Sequence, residues 1–72
     1  MNKTIRQLRD ERGWSQFELA VKIGVTPQTV LNWEHGRREP KASQFKLLGL
    51  VFGVPLEQID LAESDPGKAV AA

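Results

Sequence analysis

Gln28 and Asn32 stand four residues apart, with Arg37 and Arg38 a few positions further on. Spaced at i and i+4, the two amides share one face of a helix. Each carries a donor and an acceptor and can pair bidentately with adenine in a DNA major groove. They would serve equally as ordinary solvated surface. The two arginines have the charge and the forked geometry that phosphates or a narrow minor groove attract, and they too have a plain reading as solvated loop charges.

Two short helical signals flank these residues in the stretch SQFELAVKIGVTPQTVLNWE, residues 15–34. Ser15 followed by Glu18 makes a Ser-x-x-Glu capping box, and Leu19, Ala20 and Ile23 recur at helical spacing on what should be the inward side. Gly24 ends this helix. Thr26 followed by Pro27 opens the next, a hydroxyl cap before a proline at the first helical position, where its missing N–H costs nothing. Val30 and Trp33 then project to one side, and Gln28, Leu31, Asn32 and His35 to the other.

The remaining elements support this pair. Thr4 caps a first helix running to about Arg12, with Ile5 and Leu8 inward and Gly13 at its end. Arg9 lies beside Ile5, and a partly buried arginine needs a carboxylate; Glu34, at the end of the third helix, is the expected partner. Trp14 reads as a core anchor. His35 to Lys41 is a polar loop punctuated by glycine and proline. A fourth helix from Ala42 to Phe52 carries a core stripe of Phe45, Leu48, Gly49 and Phe52. It has a second apolar stripe of Leu47, Leu50 and Val51, so it is either central or shared with another chain. Close approach of a neighbouring helix would account for Gly49. A short fifth helix is expected from Pro55 to about Leu61, and no strand signal appears. Residues 1–61 read as one domain and residues 62–72 as a flexible tail.

Composition narrows the classes of function. Seventy-two residues without cysteine and with one histidine exclude disulfides and thiolate or histidine-cluster metal sites, and no nucleophile-and-base arrangement is present. No catalytic residue, metal or other cofactor is therefore expected. With no second domain, no small-molecule ligand is expected either. Lacking a signal peptide or an apolar run long enough to span a membrane, the chain should be cytoplasmic. Charge is lopsided. Residues 1–46 hold nine Lys or Arg against five Asp or Glu, and residues 47–72 hold one against four. The half with the paired helices is thus the one suited to a polyanion.

The ordered set Ile5-x-x-Leu8-Arg9, Gly13-Trp14-Ser15-Gln16, Glu18-Leu19-Ala20, Gly24-Val25, Gln28-Thr29-Val30, Trp33-Glu34-x-Gly36, Pro40 and Gly53-Val54-Pro55 resembles the phage-repressor and Cro-type helix-turn-helix domains, the XRE family. The resemblance spans roughly Lys3 to Leu61. It implies an all-α fold, a compact five-helix lambda-repressor-like DNA-binding domain whose third helix enters the major groove. Carried over by position, Pro27, Gln28, Leu31 and Asn32 fall at base-contacting sites, with Pro27 limited to apolar contact. Gln16 matches a phosphate clamp, and Thr26, Thr29, Arg37 and Arg38 join it as backbone contacts. Arg9 and Glu34 again emerge as a structural salt bridge.

The implied function is a sequence-specific, repressor-like transcriptional regulator of double-stranded DNA, a homodimer at least on its operator. Phe17, Val21, Leu47 and Leu50 depart from the pattern, standing where relatives commonly carry charged or polar side chains. They keep a second reading open, a protein-interaction module such as an antitoxin or the partner of a larger regulator.

Overall fold

A computed structural model describes residues 2–61. Four α-helices occur among them, α1 (Ile5–Glu11), α2 (Gln16–Ile23), α3 (Pro27–Glu34) and α4 (Ala42–Phe52). The expected tail, residues 62–72, lies outside the described residues.

The helix starts follow the local chemistry. Thr4 and Ser15 both close capping boxes, with Gln7 and Glu18 respectively, and Thr26 accepts from the Thr29 backbone N–H ahead of Pro27. Each cap satisfies backbone donors that the first helical turn leaves without partners. Gly24 ends α2 at φ 88°, a left-handed conformation that a side chain would strain, and so turns the chain sharply into α3.

The core gathers one face of each helix: Ile5 and Leu8 from α1, Leu19, Ala20 and Ile23 from α2, Val30 and Trp33 from α3, Leu48 and Phe52 from α4. Trp14 is half-buried against this core. Its ring stacks on Phe52 at 5.9 Å between centroids, and the Arg12 guanidinium lies over both rings while donating to the Leu8 and Phe52 carbonyls. Lys22 approaches the Trp14 ring at 4.6 Å.

The fifth helix is not formed. Leu56–Gln58 makes a single 3₁₀ turn, and the chain then straightens into β2 (Ile59–Asp60), which pairs in parallel with β1 (Lys3–Thr4). Lys3 lies opposite Ile59 and Thr4 opposite Asp60. Ile59 enters the core from this strand. Leu56 and Ile59 have helical spacing, but the turn closes with the Ile59 N–H donating to the Leu56 carbonyl, and pairing with the N-terminal strand then carries Ile59 into the core.

The same turn explains Gly49, which packs against the segment after α4 rather than against a neighbouring helix. A Cβ there would lie 2.6 Å from Leu56 Cδ2 and 3.2 Å from the Val54 carbonyl oxygen. Leu47 and Leu50 are exposed and Val51 is partly buried, so the outer stripe of α4 is not central to this chain.

Candidate nucleic-acid interface

α3 is fixed to the core through its inner face and presents a polar outer one. Val30 is fully enclosed and Trp33 nearly so, which sets both the depth and the rotation of the helix. On the opposite side Gln28 Nε2 donates to Asn32 Oδ1 at 3.2 Å. The two amides thus form a couple whose remaining groups, Gln28 Oε1 and Asn32 Nδ2, make no other hydrogen bond among the described residues. Pro27 and Gln28 are exposed, while Leu31 and Asn32 are half-buried at the flank.

Thr26 and Thr29 bind each other at the start of the helix, their hydroxyl oxygens 2.9 Å apart. Only one of the two hydroxyls donates in that bond, so the proton of the other stays available to an outside acceptor. Past the C-terminus, the Asn32 carbonyl accepts from the Arg37 N–H at 2.9 Å and the Arg38 N–H at 3.4 Å. The backbone of the arginine loop is therefore tied to the helix that carries the amides. Both arginine side chains are exposed and form no ion pair among the described residues.

Behind α3 lies a buried polar junction. Glu34 accepts from Arg9 Nε at 2.7 Å, Arg9 Nη2 at 3.3 Å and Gln16 Nε2 at 3.0 Å, and Arg9 Nη1 donates to the Trp14 carbonyl at 2.8 Å. The side chains of Arg9 and Glu34 are 12% and 3% exposed. The hydrogen bond to Glu34 raises the Arg9 pKa above its ordinary value, against the opposing effect of burial. One junction thereby joins α1, α2 and the end of α3.

Gln16 belongs to this junction, a role its sequence position did not reveal. One of its amide protons is committed to Glu34, which leaves a second N–H and the carbonyl oxygen for an outside partner. Among the described residues no group of three His, Asp or Glu side chains could hold a metal ion. No helix there is long and apolar enough to cross a membrane.

Residues 5–59 match the helix-turn-helix family. The chain is 40% identical over 55 residues to the cryptic phage CTXphi transcriptional repressor RstR of Vibrio cholerae, covering 76% of this chain and 50% of that protein. An HTH-type transcriptional regulator of Methanothermobacter thermautotrophicus is 48% identical over 69 residues, covering 94% of this chain and all of that protein. Human endothelial differentiation-related factor 1 is 34% identical over 67 residues, covering 81% of this chain and 45% of that protein. This chain spans about half the length of the repressor and of the human factor. No solved structure matches it. The chain belongs to the helix-turn-helix family of phage repressors and transcriptional regulators, the XRE family.

Proposed function

We propose that the chain is a sequence-specific DNA-binding regulator of transcription that acts as a repressor, with α3 in the major groove of a two-fold symmetric operator and a second copy on the other half-site. The carrying observation is the Gln28–Asn32 couple, held outward on a helix whose opposite face, Val30 and Trp33, is locked in the core. The couple offers an acceptor, Gln28 Oε1, beside a donor, Asn32 Nδ2. Adenine's major-groove edge offers the matching donor at N6 and acceptor at N7. Pro27 adds apolar contact, and Leu31 covers the flank. Gln16, Thr26, Thr29, Arg37 and Arg38 hold the backbone on either side and fix the register.

A domain of this size makes few base contacts, each worth about 1 to 3 kcal/mol of discrimination, so useful selectivity needs two half-sites. The test is selection from random double-stranded oligonucleotides at moderate salt, followed by binding at several salt concentrations. The reading requires an enriched motif and a steep loss of affinity as salt rises. Recovery of no preferred sequence overturns it.

A second reading rests on α2. Phe17 and Val21 are 63% and 64% exposed, on a face turned away from the core residues of that helix. Such an apolar strip suits a protein partner. Association through it would change little with salt, which separates this reading from DNA binding.

A further inference from the structure

A hollow between β1, α1 and the segment after α4 combines fixed charge with apolar wall. It holds about 430 Å³ and is lined by Lys3, Leu8, Glu11, Arg12, Val54 and Gln58. That volume falls within the roughly 300 to 1,000 Å³ usual for small-molecule sites. No residue of α2 or α3 lines it, so an occupant leaves the proposed reading face uncovered.

Arg12 is the fixed point of the hollow. Its Nη1 donates to the Leu8 carbonyl at 3.1 Å and its Nη2 to the Phe52 carbonyl, while the guanidinium lies over the Trp14 and Phe52 rings. A guanidinium has five N–H groups, so these bonds leave three for a further acceptor. Holding the fork in place beforehand spares a carboxylate the cost of ordering a loose arginine. Glu11 lies 3.8 Å from Arg12 Nη1 and also pairs with Lys3. Two cations against one anion give these side chains a net charge of +1, which a monoanion neutralises.

The other walls define what accompanies that charge. Leu8 and Val54 supply apolar contact, and Gln58 adds an amide that can donate or accept. Inorganic phosphate would meet the cations and leave the apolar wall wet. A small aliphatic acid meets both.

We infer that this hollow is a binding site for a small aliphatic monocarboxylate, with the carboxylate on Arg12 and Lys3 and the hydrocarbon body against Leu8 and Val54. Binding there needs no DNA.

The test is a titration of the full chain with 4-methylpentanoate at neutral pH and low salt, followed by two-dimensional NMR of the amides. Saturable shifts should gather at Lys3, Glu11, Arg12, Val54 and Gln58 and spare the side-chain amides of Gln28 and Asn32. Half-saturation should fall near the millimolar range, the reach of so small a ligand. The uncharged 4-methylpentanamide and inorganic phosphate should each bind at least about 10-fold more weakly, since each lacks one half of the match. Lys3→Glu reverses the net charge of the hollow and should weaken the acid at least about 10-fold while the far-ultraviolet circular dichroism stays as in wild type. Arg12→Lys, which loses the planar fork, should weaken it similarly. Shifts that stay linear through the millimolar range overturn the inference, as do equal affinity for the amide or for phosphate, or a folded Lys3→Glu variant that binds as well as wild type. Selective DNA binding by a chain that ignores the acid would remove this site and leave the regulator reading standing.

Discussion

Arg9 and Glu34 are 25 residues apart in sequence and joined through two hydrogen bonds, Arg9 Nε to Glu34 Oε2 at 2.7 Å and Arg9 Nη2 to Glu34 Oε1 at 3.3 Å. The pair is shielded from solvent, and its consequence is mechanical. Glu34 is the last residue of α3, so the salt bridge fixes the end of the proposed recognition helix to α1, and Gln16 fixes it to α2.

Removal of either partner should therefore cost more than an exposed ion pair's 0 to 1 kcal/mol. Arg9→Ala is expected to lower stability by about 3 kcal/mol in urea unfolding, because Glu34 would keep a buried charge with only Gln16 to satisfy it. The double variant with Glu34→Ala should lose less than the sum of the two single losses. A loss below about 1 kcal/mol for Arg9→Ala would reduce the junction to an ordinary surface pair.

Gly49 provides a test of packing against propensity. Alanine is favoured over glycine inside a helix by about 1 kcal/mol, yet a Cβ here meets Leu56 Cδ2 at 2.6 Å and the Val54 oxygen at 3.2 Å. Gly49→Ala should be net destabilising by about 1 kcal/mol, since overpacking at such distances costs more than the propensity returns. In a Leu56→Ala background the same substitution should become neutral or stabilising. If it stabilises the wild-type chain, the turn after α4 is looser than its contacts indicate.

Readers and clamps should separate in binding. Gln28→Ala is expected to lose about 1 to 3 kcal/mol on the selected site and to relax preference at one base position. Arg38→Ala should weaken all sequences alike and reduce the salt slope by about one unit. Parallel titrations on selected and scrambled duplexes distinguish the two patterns, and identical behaviour of the variants would refute the division.

Thr26 tests the start of α3 independently of its outer face. Thr26→Ala removes the acceptor for the Thr29 N–H and should cost about 1 kcal/mol in thermal or urea unfolding. Thr26→Asn, which keeps a capping oxygen, should restore most of it.

How much was legible in the sequence depends on the range of each interaction. The caps at Thr4, Ser15 and Thr26 are readable because both partners lie within one helical turn. The inward residues Leu19, Ile23, Val30 and Trp33 follow from period alone, and Arg9 with Glu34 from a charge that had to be compensated. Ile59 was not readable. Its spacing from Leu56 suggests a helix, and only the strand at Lys3, more than fifty residues away, makes it a strand residue. Gln16 likewise shows a surface position in sequence and a tie to Glu34 in the fold. The Gln28–Asn32 bond was within reach of i, i+4 spacing, since amide pairs on a helix hold one another.

The central claim is that the outer face of α3 reads bases. Selection from random duplexes with the wild-type chain and with Gln28→Ala/Asn32→Ala, at one salt concentration, tests it most directly. The account predicts a two-fold repeated motif containing adenine for the wild type, and loss of preference at those positions for the double variant, with nonspecific affinity retained. Enrichment of the same motif by both proteins, or of none by the wild type, would contradict it.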